Sequence, residues 1–186
     1  MKAILSYLDS PLGAMLLATD ERCRVRALEF AERRSRLHRN LREQYGAYEL
    51  AEGPAPTAVT RTLRRYFEGE LEALDTIDVA TAGTEQQERV WAALRRIPAG
   101  QTTTYGALGN AVGINDWRAA VDMGAAVGAN PIAIIVPCHR VLGAGGDLKG
   151  YAWGLHRKRW LLEHETSIEG RPATPQAASL SRCQGA

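Results

Sequence analysis

The 186-residue sequence predicts an α+β fold, in which a small N-terminal domain of β-meander and helices packs on a helical C-terminal domain with a helix-turn-helix. Three observations lead to this class. Short β-rich runs fill the first thirty positions, helical spacing and capping signals dominate after position 83, and Ala82-Gly83 offers a boundary between the two patterns. The hydrophobic fraction of 45% suffices for a core in one domain or two small ones.

The first thirty residues predict a meander of three strands. Residues 4–7, 14–19 and 25–30 are rich in apolar side chains, and turn sequences around Pro11 and Asp20 separate them. A meander of this kind needs helices to cover one of its faces.

Helical patterns follow the meander. Residues 33–45 are polar and rich in arginine, which favours a helix with a solvated face over a phosphate-binding surface. Residues 57–67 show helical spacing of apolar side chains and stop at Gly69. Residues 75–80 allow one more strand, so the N-terminal domain is predicted over residues 1–82.

The C-terminal domain is predicted over residues 83–168. Thr84 and Gln87 form a capping-box pattern for a helix that runs to about Ile97. Helices over residues 105–112 and 117–127 flank a glycine turn, which is typical of a helix-turn-helix.

The caps of this helix pair and the end of the chain complete the pattern. Thr104 caps the first helix of the pair, and Asn115 or Asp116 caps the second. A final helix is predicted over residues 156–165. Residues 169–186 are rich in Pro, Ala, Gln and Ser and are predicted to be a disordered tail.

An apolar run between two prolines leads directly to the candidate chemical residues of the chain. Residues 132–136 are mostly β-branched and predict a buried strand, and Pro137 should end it. Cys138 then lies on a turn, followed by His139 and Arg140. A thiol is a strong nucleophile only as thiolate, and basic neighbours lower its pKa. The thiol alone is equally consistent with a buried structural cysteine.

The whole region from Thr84 to Glu165 closely resembles the O6-alkylguanine-DNA alkyltransferases, also called methylated-DNA–protein-cysteine methyltransferases. Several strings match in the right order. They are Gly83-Thr84-x-Gln86-Gln87-x-x-Val90-Trp91, Ile97-Pro98-x-Gly100, Thr104-Tyr105-Gly106, Asn130-Pro131 with Pro137-Cys138-His139-Arg140-Val141, Gly150-Tyr151-Ala152, and Arg157-Lys158-Arg159-Trp160-Leu161-Leu162-x-His164-Glu165. The resemblance also implies a ribonuclease H-like N-terminal domain and an active-site loop in the C-terminal one.

The reaction that the resemblance implies is direct-reversal DNA repair. An alkyl group moves by SN2 displacement from O6 of guanine, or from O4 of an alkylated thymine, to the sulfur of Cys138. The thioether is stable, so each protein molecule repairs one lesion. The target nucleotide must leave the base stack, where O6 lies edge-on. No metal or organic cofactor is implied.

The resemblance assigns four residues to the chemistry. Cys138 accepts the alkyl group, His139 deprotonates it through a water, and Glu165 orients the histidine. Tyr105 assists flipping and helps the guanine to leave. Without the resemblance, Glu165 is a solvated carboxylate at a helix end and Tyr105 a half-buried core tyrosine.

Further residues match the family's substrate and DNA contacts. Asn130 is the hinge that ties the helix-turn-helix to the active-site turn, and it can also cap a helix before proline. Tyr151 lies against the flipped base. Arg140 and Val141 are predicted to contact substrate or DNA.

The sequence departs from the family at the intercalating arginine. Val121 stands at the usual position of that arginine, and the turn between Gly113 and Asn130 is about two residues longer. Arg118 serves through a shifted register, or Trp117 is the wedge. Asp122, on the same helix, is expected to face away from phosphates.

A second departure is Trp153, where many members carry glycine. Beside Tyr151, an indole would narrow the base pocket. The alternative is that Trp153 packs outward, against Trp160 or against the N-terminal half.

The expected partner is double-stranded DNA with alkylated bases, bound in the minor groove through the helix-turn-helix by a monomer. The small residues of the second helix of the pair allow close approach to a groove, and minor-groove readout carries little sequence information. The net charge is only +2. Residues 1–83 carry 12 basic and 13 acidic groups and residues 84–165 carry 9 and 7, so DNA contacts must come from local placement.

Cysteine usage and the chain start indicate a cytoplasmic protein. Three irregularly spaced cysteines, Cys23, Cys138 and Cys183, argue against a disulfide framework. No signal peptide or membrane span is recognisable. Cys23 and His38 lack two further ligands at suitable spacing, so no metal site is predicted.

Two other classes of protein remain open from the sequence. Alkyltransferase-like proteins bind lesions without transfer, but they lack the acceptor cysteine that stands here as Cys138. A cysteine hydrolase would need an oxyanion hole and would turn over repeatedly. One-to-one stoichiometry separates these classes.

Overall fold

A computed structural model describes residues 1–114 and 117–167, with side chains given for all of these except residues 117–122 and 167. Strands and helices are numbered in chain order. The strands are β1 Lys2–Leu8, β2 Met15–Thr19, β3 Val25–Phe30, β4 Glu49–Glu52, β5 Thr103–Thr104 and β6 Val141–Leu142, and the α-helices are α1 Arg34–Tyr45, α2 Thr57–Phe67, α3 Glu85–Leu94, α4 Tyr105–Ala111, α5 Trp117–Gly128 and α6 Leu155–Ser167. Short 3₁₀ turns cover Ala31–Arg33, Leu71–Thr76 and Cys138–Arg140.

The N-terminal half is a four-stranded sheet in the order β3-β2-β1-β4. The predicted meander is confirmed, because β1, β2 and β3 pair antiparallel in sequence order. Strand β4 was not predicted, because it is short, polar and mostly exposed; it pairs parallel to β1. Helix α1 covers one sheet face by packing Leu37 and Leu41 on residues such as Leu5 and Leu16.

The strand predicted at residues 75–80 is wrong. The chain there leaves the 3₁₀ turn Leu71–Thr76 and makes one isolated parallel bridge, between Val79 and Val25. The N–H of Val25 donates to the carbonyl of Asp78 at 2.9 Å, and the N–H of Ala80 donates to the carbonyl of Val25 at 2.9 Å. The edge of β3 is therefore protected without a fifth strand.

The helices of the C-terminal half begin where capping chemistry predicts. At α3 the N–H of Gln87 donates to the Thr84 hydroxyl at 3.3 Å, and the N–H of Thr84 donates to the Gln87 side chain at 2.9 Å. Thr104 caps α4 by accepting from the N–H of Ala107 at 3.1 Å. Helices α4 and α5 form the predicted helix-turn-helix, and α6 confirms the last helix. The Asn115 or Asp116 cap and the tail at 169–186 lie outside the described residues.

The strand predicted at residues 132–136 is also wrong. This segment is a buried turn, with a single bridge from Ile132 to Leu28 of β3 and a positive φ of 66° at Ile134. The Asn130 side chain accepts from the N–H of Ile132 at 2.9 Å and donates to the carbonyl of Val136 at 2.8 Å. These two bonds close the loop and hold the apolar run folded back in place of an extended strand.

One hydrophobic core joins the two halves. It contains Leu28 and Phe30 from the sheet together with Val90 and Trp91 of α3, all fully or almost fully buried. The indole N–H of Trp91 donates to the carbonyl of Ala126 in α5 at 2.9 Å. Residues 132–136 belong to the same core, so the segment that leads to Cys138 packs against both halves.

Candidate active site

Cys138 begins a 3₁₀ turn directly after the folded-back loop, and it is 4% exposed. The Asn130 amide donates to its sulfur at 3.3 Å as well as to the carbonyl of Val136. Asn130 is itself fully buried at the end of α5. The Asn130 side chain therefore bonds to the loop and to Cys138, which begins the turn Cys138–Arg140, called the acceptor turn below. A tie from this side chain to the helix-turn-helix stays a prediction.

His139 and Glu165 form a buried pair beside the thiol. The Nε2 atom of His139 lies 2.9 Å from Oε1 of Glu165, and the two side chains are 0% and 1% exposed. Because the carboxylate can only accept, Nε2 carries the hydrogen and Nδ1 keeps a lone pair. Burial lowers the pKa of His139, although the charge of Glu165 opposes that shift. The ring is therefore a neutral imidazole whose Nδ1 can accept a proton.

The carboxylate of Glu165 accepts hydrogen bonds from four residues. Arg140 donates from Nε to Oε2 at 2.9 Å and from Nη2 to Oε1 at 2.8 Å. Tyr66 donates its hydroxyl at 2.9 Å, and the N–H of Gly100 donates at 3.3 Å. Burial would raise the pKa of Glu165, but His139 and Arg140 hold it well below its usual range. Glu165 is ionised at any physiological pH.

The expected contact of Arg140 with substrate or DNA stays a prediction, and in the structure this side chain bonds within the protein. Its side chain is 5% exposed, and besides Glu165 it donates to the carbonyl of Ile97 at 2.5 Å. Val141 is fully buried behind the turn, where its N–H bonds to the carbonyl of Cys138. Both residues support the acceptor turn, and a substrate contact by Val141 stays a prediction.

The resting thiol is protonated. Burial raises the pKa of Cys138 to about 11, and the Asn130 amide and the charges of Lys158 and Arg36 offset part of this rise. Lys158 is fully buried, donates to the carbonyls of Val141 at 2.6 Å and Leu148 at 2.5 Å, and has its pKa lowered to about 8 by burial. In the sequence, Lys158 belongs to a matching string but is not predicted to lie at the site. A lysine among arginines at the start of a helix gives no indication that its side chain is buried.

Three aromatic residues lie around the turn. The hydroxyl of Tyr151 is buried and has no hydrogen-bond partner among the described residues, and its ring centroid lies 6.5 Å from that of His139. Tyr105 is half-buried at the start of α4, where burial, followed by the influence of Cys138, raises its pKa. The contacts of Tyr151 and Tyr105 with a flipped base stay predictions.

Trp153 lies against the N-terminal half, which is the alternative stated for it. The indole is fully buried and donates to Glu29 of β3, and the Arg36 guanidinium lies 4.8 Å from the ring centroid. It also touches Tyr151 edge-on, with centroids 5.1 Å apart. Trp160 stacks elsewhere, on His164 at 4.9 Å. The pocket role of Trp153 thus stays a prediction.

Arg36 corrects the interpretation of the arginine-rich helix as a wholly solvated face. Its side chain is 10% exposed and bonds Glu29 at 2.6 Å. It also donates to the carbonyls of Gly128 at 2.8 Å and Asn130 at 3.0 Å. Periodicity could have placed Arg36 on the inner face of α1, but its partners lie too far along the chain to be deduced.

The intercalating residue cannot be placed geometrically. The backbones of Trp117, Arg118, Val121 and Asp122 belong to α5, but their side chains lie outside the described residues. Within the described residues, no group of three His, Cys, Asp or Glu side chains is arranged to hold a metal ion. No helix of that part of the chain combines the length and apolarity needed to cross a bilayer.

A buried thiol with a histidine–glutamate pair, built beside a helix-turn-helix, defines a DNA-binding protein with a nucleophilic cysteine. Residues 4–81 match the ribonuclease-like domain of 6-O-methylguanine DNA methyltransferase, and residues 85–167 match the DNA binding domain of that family. The chain is 45% identical over 158 residues to the methylated-DNA–protein-cysteine methyltransferase of Salmonella typhimurium, covering 84% of this chain and 91% of that protein. The chain belongs to the 6-O-methylguanine DNA methyltransferase family.

Further relatives agree. The methylated-DNA–protein-cysteine methyltransferase of Methanosarcina acetivorans is 41% identical, over 86% of this chain and 96% of that protein. A crystal structure of Mycobacterium tuberculosis OGT in complex with DNA matches with a TM-score of 0.73 and 36% identity, over 94% of this chain and 96% of that one. The predicted fold class and family are confirmed by these likenesses.

Proposed function

We propose that Cys138 is the alkyl acceptor of a direct-reversal DNA repair reaction, in which a methyl or larger alkyl group moves from O6 of guanine in DNA to the cysteine sulfur. The observation that carries this proposal is a buried Cys138 followed directly by His139, whose Nε2 lies 2.9 Å from Oε1 of the buried Glu165, in a chain of this family. O4-alkylthymine is a further substrate in this proposal, and no cofactor takes part.

In the proposed reaction the sulfur attacks the alkyl carbon as the bond from that carbon to O6 breaks. The thiol proton passes through a water to Nδ1 of His139, the atom that has no protein partner among the described residues. The bonding electrons leave with the guanine, and Tyr105 stabilises them by donating a hydrogen bond or a proton. Glu165 stabilises the imidazolium that forms.

Burial of the thiol has a functional consequence in this scheme. At a pKa of about 11, only about one molecule in ten thousand is thiolate at neutral pH. The Cys138 thiol of the protein without bound DNA is therefore protected from oxidation and from alkylation by other reagents. Removal of the proton by His139 couples nucleophile formation to the presence of a lesion.

In this proposal, helices α4 and α5 bind the DNA. The second helix is rich in small residues, which lets its backbone approach the minor groove closely. Tyr151 packs against the flipped base, and Asn130 links that helix to the acceptor turn. Arg118 fills the vacated stack, so Arg118→Ala should reduce repair of duplex DNA more than reaction with the free base.

The proposal includes a monomeric protein acting in the cytoplasm. Its chain divides into an N-terminal domain at 1–82 and a C-terminal domain at 83–168 that carries both DNA binding and acceptor chemistry.

The test is the mass of the Cys138 peptide after incubation with duplex DNA that contains O6-methylguanine. We expect a gain of one methyl group per protein molecule, and no transfer but retained DNA binding by Cys138→Ala. The exposed Cys23 offers a matched control, since Cys23→Ala should transfer normally. Repeated turnover would indicate a cysteine hydrolase, and transfer by Cys138→Ala would exclude the assignment.

A further inference from the structure

The hydroxyl of Tyr66 connects the N-terminal half of the protein to the active site by a hydrogen bond. Tyr66 lies in α2, and its hydroxyl donates to Oε1 of Glu165 at 2.9 Å, across 99 positions of sequence. Both side chains are buried, at 0% and 1% exposure. Within the described part of the chain, it is the one N-terminal side chain that bonds this carboxylate.

The bond falls on the same oxygen that holds the histidine. Oε1 accepts from Tyr66 at 2.9 Å, from Nε2 of His139 at 2.9 Å and from Nη2 of Arg140 at 2.8 Å. Each donor withdraws negative charge from that oxygen, so each weakens the pull that the others feel. Burial, followed by the charge of Glu165, raises the pKa of Tyr66 well above its ordinary value. Tyr66 therefore remains a donor throughout the working pH range.

We propose that Tyr66 is a positioning residue that sets the strength of His139 as a base through their shared partner, Oε1 of Glu165. This inference rests on the proposed function. Without the hydroxyl, the carboxylate would concentrate its charge on the Nε2 side of the ring and favour the imidazolium. The protonated ring has no lone pair at Nδ1 and cannot accept the thiol proton. Tyr66 keeps the ring neutral at the pH where repair occurs.

Other charged or titratable groups near the pair stay constant when the hydroxyl is removed. Arg140 and Lys158 lower the pKa of His139, and Glu165 raises it. Cys138 lies on the same turn, and the ring of Tyr151 lies edge-on to His139. His164 of α6 packs on the Tyr66 ring at 5.3 Å and lies 2.9 Å from its carbonyl. A phenylalanine at position 66 keeps both contacts with His164, so this neighbour is the same in the two proteins.

The first test compares the wild type with Tyr66→Phe. The rate constant of methyl transfer from duplex DNA is measured under single-turnover conditions between about pH 5.5 and 9, where the acid limb reports protonation of the base. We expect the acid limb of the variant to move to higher pH by roughly half a unit, as loss of one neutral hydrogen bond implies. A uniform loss of rate with an unmoved limb would overturn the proposal, because a purely structural role predicts that result.

Tyr45→Phe is the matched control. Tyr45 belongs to the same half, is half-buried and donates its hydroxyl to the carbonyl of Ala80 at 2.7 Å, without contact to Glu165. Its removal should leave the acid limb in place. An equal shift in both variants would show a general effect of the N-terminal half and would overturn the role of Tyr66.

A second substitution strengthens the donor and keeps the ring and the hydroxyl. Site-specific 3-fluorotyrosine at position 66 is more acidic, so it should move the acid limb to lower pH, and it tests the proposal even if Tyr66→Phe does not fold. An acid limb that stays in place or moves to higher pH would contradict the proposal.

The mass gain on Cys138 separates failure of this inference from failure of the proposed function. If the wild type gains no alkyl group, the proposed function and this inference both fail, whereas a normal gain with an unmoved acid limb removes the inference alone.

Discussion

Glu165 and Glu29 are both fully buried carboxylates that bond an arginine, and they lie on either side of the junction between the two halves. Glu165 accepts five hydrogen bonds, two of them from Arg140 and one from His139. Glu29 accepts three, from Arg36, the N–H of Phe30 and the indole of Trp153. Burial would raise both pKa values. Its effect is overcome at Glu165 and prevails at Glu29, whose pKa is raised.

The difference shows what a catalytic carboxylate requires beyond an ion pair. At Glu29 the single bond to Arg36 does not compensate for desolvation, so the charged form is less favoured there than in water. At Glu165 the bidentate arginine and the histidine keep the charge in place, and this charge fixes the tautomer of His139. The Glu29 carboxylate joins the two halves, whereas the Glu165 carboxylate holds the His139 ring in one orientation.

The largest expected effect is on stability, from replacing the two glutamates by glutamine. Glu165→Gln leaves the buried Arg140 without a counterion, so the free energy of unfolding at pH 7 should fall by about 3–5 kcal/mol. Glu29→Gln should lower it by only about 1–2 kcal/mol, because Glu29 accepts one bond from a charged donor, Arg36, whereas Glu165 accepts two from Arg140. Urea denaturation of both variants measures the two values. Equal losses would contradict the proposed difference between the sites.

The pH dependence of the same two losses sharpens the comparison. The lowered pKa of Glu165 gives a contribution that is present above its ordinary value of 4.5 and is lost as the pH falls below that value. The raised pKa of Glu29 gives the opposite sign, with a contribution present below 4.5 and lost as the pH rises through the folded-state value. The deficit of Glu165→Gln should therefore shrink on acidification from pH 6 to 4, while that of Glu29→Gln should grow. Parallel curves would disprove the assignment.

The sequence predicted local structure well because local rules determine it. The capping box at Thr84 and Gln87, the cap at Thr104 and the helix over residues 57–67 all depend on residues within one or two turns. The run at 132–136 failed for the opposite reason. Its composition suits a strand, but the Asn130 side chain closes it into a turn, and propensity does not anticipate such a bond.

The site divides in the same way. The matching strings brought attention to Cys138, His139, Glu165 and Asn130, and the structure places all four together. Sequence reasoning missed Tyr66, Glu29, Arg36 and the burial of Lys158. The bonds of Tyr66 to Glu165, of Arg36 to Gly128 and of Trp153 to Glu29 join the two halves of the protein, and those of Lys158 close a loop of the C-terminal half. Only tertiary packing could reveal that the N-terminal half completes the active site.

A smaller effect, on rate, is expected from Lys158→Met. Its buried ammonium lowers the pKa of Cys138, so a neutral side chain of similar length should slow methyl transfer at pH 7 by about tenfold. Because burial lowers the pKa of Lys158 to about 8, the wild type should itself lose this help as the pH rises above 8, and the two proteins should converge there. The exposed Lys149→Met serves as control and should react normally. A deficit that persists unchanged at pH 9 would assign Lys158 to packing alone.

The smallest expected effect concerns Trp153, where pocket narrowing and interface packing predict different results. The indole N–H bonds Glu29 and Arg36 lies over the ring, so Trp153→Phe should mainly lose that bond, at about 1 kcal/mol of unfolding free energy. Its contact with Tyr151 is edge-on at 5.1 Å, and a phenyl ring can occupy the same edge. We therefore expect the ratio of rates for O6-benzylguanine and O6-methylguanine to change by less than about twofold, since less than 0.5 kcal/mol separates the transition states. Competition kinetics on both proteins measure this ratio, with Trp160→Phe, outside the Tyr151 contact, as reference. A large gain with the benzyl compound would return Trp153 to the wall of the base pocket, and would show that one indole both joins the two halves and limits the size of the alkyl group.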